Sequence, residues 1–240
     1  SYFRRWNRYM QKSGGLLVHK STHHFDLVNW WLEEDPEEVH ALGTRRVYGP
    51  TGKEKGYRCL TCTYKKTCEF YWDIKNDEHS KRYYLEAENH DGYIRDKCVF
   101  DDDIDIYDTM ALTVKYSKGA LLTYSLTAHS PFEGWRIAIN GSKGRIEAEE
   151  FHSGQRSKEQ VQEIRLYNLK GEVITYHIPK SQGGHGGGDE RLLRMIIAGD
   201  IPDPLGHQAG SRAGAMSVII GAAANISIAD KRPVNIKELL

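Results

Sequence analysis

Residues 108–128 read DTMALTVKYSKGALLTYSLTA, and this stretch decides the fold. Met110, Leu112, Val114 and Tyr116 alternate with small or polar residues. That period of two sets one face of a strand against a core. SKG (117–119) is a turn, and Leu122, Tyr124 and Leu126 resume the alternation. The pair reads as a β-hairpin with one apolar face. Downstream the pattern repeats: WRIAIN carries Trp135, Ile137 and Ile139, a GSKG turn leads to RIEAE, and EIRLYN and EVITYHI are joined by LKG. Upstream, residues 38–48 add a strand with Val39, Ala41 and Val47 apolar.

Helical patterns flank this meander. Residues 14–32, GGLLVHKSTHHFDLVNWWL, read as one helix after a Gly-Gly entry, closed by EEDPEE. GGGDERLLRMIIAG (186–199) starts a second helix, with Asp189 as its N-cap and Gly199 at its end. Residues 210–230 form a long helix rich in small residues, and RPVNIKELL ends the chain as a short strand and tail. The expected class is α+β: an open, mostly antiparallel sheet of about six strands, one face covered by helices from both ends of the chain. Residues 1–240 are expected to form one substrate-binding and oligomerisation domain. Residues 49–100 lack a sustained period, hold all four cysteines and read as an insertion.

Composition narrows the function. Of 240 residues, 33 are Lys or Arg and 33 are Asp or Glu, so a partner gripped by bulk positive charge, nucleic acid above all, is excluded. At 39% hydrophobic and 28% charged the chain is globular rather than disordered. No unbroken apolar run in the sequence approaches the ~20 residues of a membrane span, so no membrane partner is expected. The N-terminus, SYFRRWNRYMQKSGG, lacks the apolar core of a signal peptide, which points to a cytoplasmic protein. It also lacks an initial Met and opens inside an Arg/aromatic segment, as a fragment of a longer protein would.

Three constellations carry possible chemistry. The first is His19, Lys20, His23, His24 and Asp26, with Trp30 nearby. On one helix His19 and His23 share a face at i and i+4, and Asp26 continues it. Histidine titrates near neutrality and suits proton transfer; the alternative is a solvated helix face. The second is GGHGGGDE (183–190), where glycines around His185 and before Asp189 allow close approach to a ligand; the alternative is a flexible loop. This segment and residues 14–26 are expected to meet across one pocket. The third is Cys59, Cys62, Cys68 and Cys98, whose CxxC start fits a structural zinc site. Free thiols are the alternative there. Two charge runs read as solvated: DDDIDIYD (101–108) as a loop, RRWNR (4–8) as a surface strap or a cation group facing substrate.

The helix GGLLVHKSTHHFDLVNWWL, the NGSKGRIEAE strand–turn–strand and the terminal GAAANISIADKRPVNIKEL together resemble the C-terminal part of the Gfo/Idh/MocA oxidoreductases. The resemblance spans most of the chain except 49–100. It implies a parent whose first domain is a Rossmann fold binding NAD or NADP; no G-x-G-x-x-G after a strand and no Glu-Lys-Pro occurs here, so that domain is expected to be absent from this chain. It aligns His23 with the family's acid/base histidine and His19 with its usual Asp, a departure that removes the carboxylate expected to hold the imidazole. His19 and Lys20 join His23 as catalytic candidates; His24, Asp26, Trp30, His185 and Asp189 are substrate-binding candidates. The implied activity is oxidation of a secondary hydroxyl on a sugar or cyclitol-like substrate, with a homo-oligomer built through the sheet face. Two other classes fit the residues: a metal-dependent hydrolase using His19, His23 and His185, and a non-catalytic binding or oligomerisation module.

Overall fold

The computed structural model describes residues 2–181 and 183–240. The chain divides into two units, Ser1–His129 with Gly210–Leu240, and Ser130–Ala209. In the first unit, β1 (Pro36–Thr44), β2 (Thr109–Tyr116) and β3 (Leu121–Thr127) form an antiparallel sheet; in the second, β4 (Gly134–Gly141), β5 (Gly144–Phe151), β6 (Val161–Asn168) and β7 (Val173–Pro179) form another. A two-residue strand, β8 (Val234–Asn235), returns to the first sheet beside β1. The α+β class and the open antiparallel sheets are as expected. The meander, however, divides after β3 into two four-stranded sheets. HSPFEG (129–134) separates them, and no ladder joins β3 to β4.

Register explains the first sheet's core. Val39, Ala41 and Gly43 stand opposite Val114, Leu112 and Met110, which in turn face Leu122, Tyr124 and Leu126. This apolar row is covered by α2 (Gly15–His19), α3 (Thr22–Leu32) and α7 (Ser211–Asp230), which follow the short α1 (Met10–Ser13) and, for α7, the small helices named below. Leu17, Phe25, Ile220, Ala223 and Ala224 are fully buried in that core. The stretch read as one helix is broken. Gly14 at φ 67° separates α1 from α2, and Lys20 at φ −121° separates α2 from α3. Small residues set how close α7 comes: a Cβ on Gly221 would meet the backbone of Leu17 and Val18, and the Asn225 side chain donates to the Gly14 carbonyl at 2.7 Å. Ser227 Oγ, fully buried, accepts the Ala41 N–H at 2.9 Å and donates to the Arg232 carbonyl at 2.7 Å. The 20 residues of α7 are long and apolar enough to cross a membrane, contrary to the sequence reading, which looked only for unbroken apolar runs. Its buried positions lie in the core of this unit.

The excursion 49–100 holds only short helices, among them α4 (Glu78–Ser80) and α5 (Glu88–Asp91), and one antiparallel bridge between Arg58 and Lys97. It still contributes Ile74, Val99 and Phe100 to the buried core. DDDIDIYD is not a solvated loop. Ile104, Ile106 and Asp108 are all fully buried. Asp108 accepts the backbone N–H groups of Arg46, Val47 and Tyr48 at 2.8–3.0 Å and the Thr109 hydroxyl at 2.9 Å.

The second unit is described by itself. Its sheet has a charged face, where Arg145 pairs with Glu147 and Arg165 with Glu163 around a cavity of about 1070 Å³. The opposite face follows the rows Ile139–Ile146–Leu166–Ile174 and Ile137–Ala148–Ile164–Tyr176 and is apolar. Beyond β7 lie α6 (Gly188–Leu193) and a π-helical turn ending at Gly199.

Candidate active site

His19 ends α2, so the first candidate side chain sits at the helix break rather than within a continuous helix. Asn7 holds it: Asn7 Nδ2 lies 3.4 Å from His19 Nε2, and Asn7 itself is fully buried. Two rings from the N-terminal segment frame the imidazole, Tyr2 at 5.5 Å and Trp6 edge-on at 5.8 Å between centroids. RRWNR is therefore no plain surface strap. Its Trp6 and Asn7, with Tyr2 just before it, support His19. No periodic pattern marks these contacts, because Tyr2, Trp6 and Asn7 lie in 3-10 turns with no regular face. Burial lowers the His19 pKa from its usual value, and the neighbouring Lys20 and Arg5 charges push the same way. A neutral imidazole can accept the Asn7 N–H at Nε2.

His23 is exposed in the first turn of α3, and its side chain makes no hydrogen bond or ion pair among the described residues. Its imidazole is thus available to an incoming hydroxyl. Asp26 is half-buried on α3, and its side chain likewise makes no hydrogen bond or ion pair among the described residues, so it does not hold His23. Lys20 is exposed at the break, where its charge acts on His19. His24 has another task. Its Nδ1 lies 2.9 Å from the Tyr124 hydroxyl, which donates to Ser21 Oγ at 3.1 Å, tying α3 to β3. Burial pushes the Tyr124 phenol up, which keeps it neutral. Trp30 is exposed later on the same helix.

His185 and Asp189 lie in the second unit. Asp189 is not an N-cap: α6 starts after Gly187, and Asp189 sits in its first turn, 2.8 Å from His185 Nδ1. The flanking glycines admit the left-handed turn there, with His185 itself at φ 46°.

Cys59, Cys62, Cys68 and Cys98 are free thiols that line one cavity of about 20 Å³. The Cys62 N–H donates to the Cys59 carbonyl at 3.1 Å, closing the CxxC turn. Among the described residues, however, no three His, Cys, Asp or Glu side chains stand together to hold a metal ion. The zinc expectation for these cysteines therefore finds no support, nor does a catalytic metal on His19, His23 and His185. Arg4 stands in the way at Cys59, donating from Nη1 to its sulfur at 3.1 Å, and the Phe100 N–H points at the Cys98 sulfur at 3.5 Å. Burial pushes the Cys98 thiol up, which also favours the protonated form.

Comparison with known proteins follows this geometry. Residues 1–236 match the family model GFO_IDH_MocA_C, described as the oxidoreductase family, C-terminal alpha/beta domain. A protein of Bacillus subtilis (strain 168) named as an oxidoreductase, YteT, is 46% identical over the whole chain, which covers 60% of its length. Among solved structures, the aldose-aldose oxidoreductase from Caulobacter crescentus complexed with glycerol aligns with 97% of this chain and 51% of its own, at TM-score 0.55 and 14% identity. An oxidoreductase from Agrobacterium radiobacter in complex with NAD+, L-tartaric acid and magnesium aligns with 92% of this chain and 49% of its own, at TM-score 0.53 and 12% identity. At such identities the two structures speak for the fold alone. The chain thus spans about half to three-fifths of the length of the proteins it matches.

Proposed function

Because this chain belongs to the Gfo/Idh/MocA oxidoreductases as their C-terminal alpha/beta domain, we propose that it supplies the substrate side of an NAD(P)-dependent oxidation of a secondary hydroxyl on a sugar or cyclitol-like molecule. One observation carries the reading: an exposed, uncommitted His23 stands beside a His19 that Asn7, Tyr2 and Trp6 hold in place. The sugar-like substrate is supported by the aldose chemistry named for the Caulobacter protein.

In this reading the dinucleotide is not held by the described residues. Both sheets are antiparallel throughout, whereas dinucleotides sit at the carboxyl ends of parallel strands, and the glycines at 183–188 lack the G-x-G-x-x-G spacing. NAD or NADP is in this reading a hydride acceptor held elsewhere in the protein, and this chain's part is confined to substrate. His23 takes the hydroxyl proton onto its imidazole nitrogen. His19, less basic than an ordinary histidine, stays neutral and accepts or relays a hydrogen bond without adding positive charge. Lys20 keeps the neighbourhood cationic, which favours the alkoxide left when the proton departs. Trp6 offers an exposed ring for the apolar face of a sugar.

A second copy belongs to this reading as well. Ile146, Ile164, Ile174, Tyr176 and Ile178 are each 37–51% exposed on one face of the second sheet, an apolar area that a homo-oligomer would cover.

The substrate site is testable directly. Titration with neutral aldoses and inositols, followed by NMR of the imidazole signals, is expected to shift His19 and His23 saturably. Unmoved His19 and His23 signals contradict the reading.

A further inference from the structure

Arg95 lies between α5 and the Arg58–Lys97 bridge, and it is a cation without a counter-charge. Its Nε and Nη1 are buried and find no acceptor among the described residues. The rings of Trp72 and Tyr84 lie 5.4 and 5.5 Å from its guanidinium carbon. The carboxylates near it in sequence are engaged elsewhere: Glu88 and Asp96 both bind Arg58, at 2.8 Å from Nη1 and Nε, and Asp91 accepts the Tyr93 N–H at 2.8 Å. Its other charged neighbours are also cations. The Arg4 guanidinium stands over the same Trp72 ring at 5.9 Å, with its own donors spent on the Cys59 sulfur and the Lys97 and Phe70 carbonyls. Arg5 is exposed. Burial, with the charges of Arg5 and Arg4, disfavours the charged form of Arg95, and Tyr93 and Tyr84 only partly oppose them.

Arg95 is half-buried as a residue, but its Nε and Nη1 are shut off from water, and guanidinium nitrogens so placed are ordinarily paired, because removing a charge from water without a partner is costly. Aromatic faces return only part of that cost. The arrangement is accordingly one that an incoming anion completes. The N-terminal segment links it to the candidate active site: Arg4 shares the Trp72 ring with Arg95, and Trp6, two residues further on, packs edge-on against His19, with Arg5 between them. A planar fork of N–H donors matches a carboxylate, and the neighbouring rings match the apolar face of a sugar.

We propose that Arg95, assisted by Arg5, binds the carboxylate of an acidic sugar whose hydroxyl is presented to His23. This rests on the sugar-oxidoreductase reading above and narrows its substrate class from sugars in general to uronate-like ones.

The test is calorimetric titration of the protein with D-glucuronate and D-galacturonate beside D-glucose, D-galactose and glucose 6-phosphate. At least one uronate is expected to bind tenfold or more tightly than its neutral parent. In Arg95→Gln that preference is expected to fall below twofold with neutral-sugar affinity unchanged. The melting temperature of Arg95→Gln without ligand is expected to equal or exceed that of the unaltered protein, since an unpaired cation has been removed. If Arg95→Gln does not fold, Arg5→Gln, on an exposed side chain, is expected to lower the preference at least threefold. Equal binding of uronates and neutral sugars overturns the carboxylate site, as does a preference that survives both substitutions or tighter binding of glucose 6-phosphate than of any uronate. Neutral sugars that still shift the His19 and His23 signals in that case leave the oxidoreductase reading standing. Silence of both imidazoles toward every sugar, with uronate binding retained at Arg95, overturns that reading and the presentation of the hydroxyl to His23, and leaves the carboxylate site alone standing.

Discussion

Asp108 shows what a single residue can do that its neighbourhood in sequence conceals. In DDDIDIYD it is one acid among five, and the run reads as solvated. In the fold it is fully buried and closes the turn after β1 by accepting three successive backbone N–H groups. Burial alone would raise its pKa, but those hydrogen bonds outweigh burial and the net shift is downward. A carboxylate whose folded pKa lies below its unfolded value of about 3.9 adds stability that is complete above pH ~4 and is lost as pH falls below it. Asp108→Asn is expected to lower unfolding stability by about 1–3 kcal/mol at pH 7, since one amide N–H then faces backbone donors. It should also flatten the loss of stability between pH 4 and 2 relative to the unaltered protein. Urea unfolding at both ends of that range checks it. His19 teaches the same lesson: its place in the 14–32 pattern was legible, but its support from Asn7, Tyr2 and Trp6 was not, because those contacts reach across 12 or more residues of irregular chain.

Among elements, the strands were the most legible part. The period of two placed β1 to β7, and the register pairs the apolar positions that alternation had picked out. Alternation reports which residues share a face and says nothing of whether one hairpin pairs with the next, so the division into two sheets was hidden. Helix ends were also obscured. Gly-Gly at 14–15 marked an entry, but the break at Lys20 has no Pro or Gly to announce it. Asp189 looked like a cap because it precedes apolar residues, yet the glycines before it already turn the chain into α6. The small residues of α7 have a clear use. Gly221 lets that helix lie against the end of α2, where even a methyl group would stand 2.7 Å from the Leu17 carbonyl carbon and 2.9 Å from the Val18 nitrogen. Gly221→Ala is expected to cost about 1–3 kcal/mol by overpacking, although alanine is the better helix former. A gain in stability on thermal or urea unfolding would show that the two helices can part without penalty.

At the scale of the molecule, the family and the α+β class came from separated motifs kept in order along the chain, and the match over residues 1–236 agrees with them. The metal reading did not follow, since cysteine spacing is shared by zinc sites and by thiols that pack around a small cavity beside a guanidinium. The uncommitted cation at Arg95 had no sequence signal at all: an arginine between DGYI and DKCV is ordinary until its acceptors are counted. The central proposal is that His23 removes the substrate's hydroxyl proton. The most direct measurement is turnover of the intact protein that contains this chain, with NAD or NADP supplied and a uronate or aldose that the unaltered protein oxidises, for His23→Ala against the unaltered form. The account predicts a fall in kcat of about 10²–10⁴-fold with cofactor affinity unchanged; turnover within twofold of the unaltered protein would contradict it.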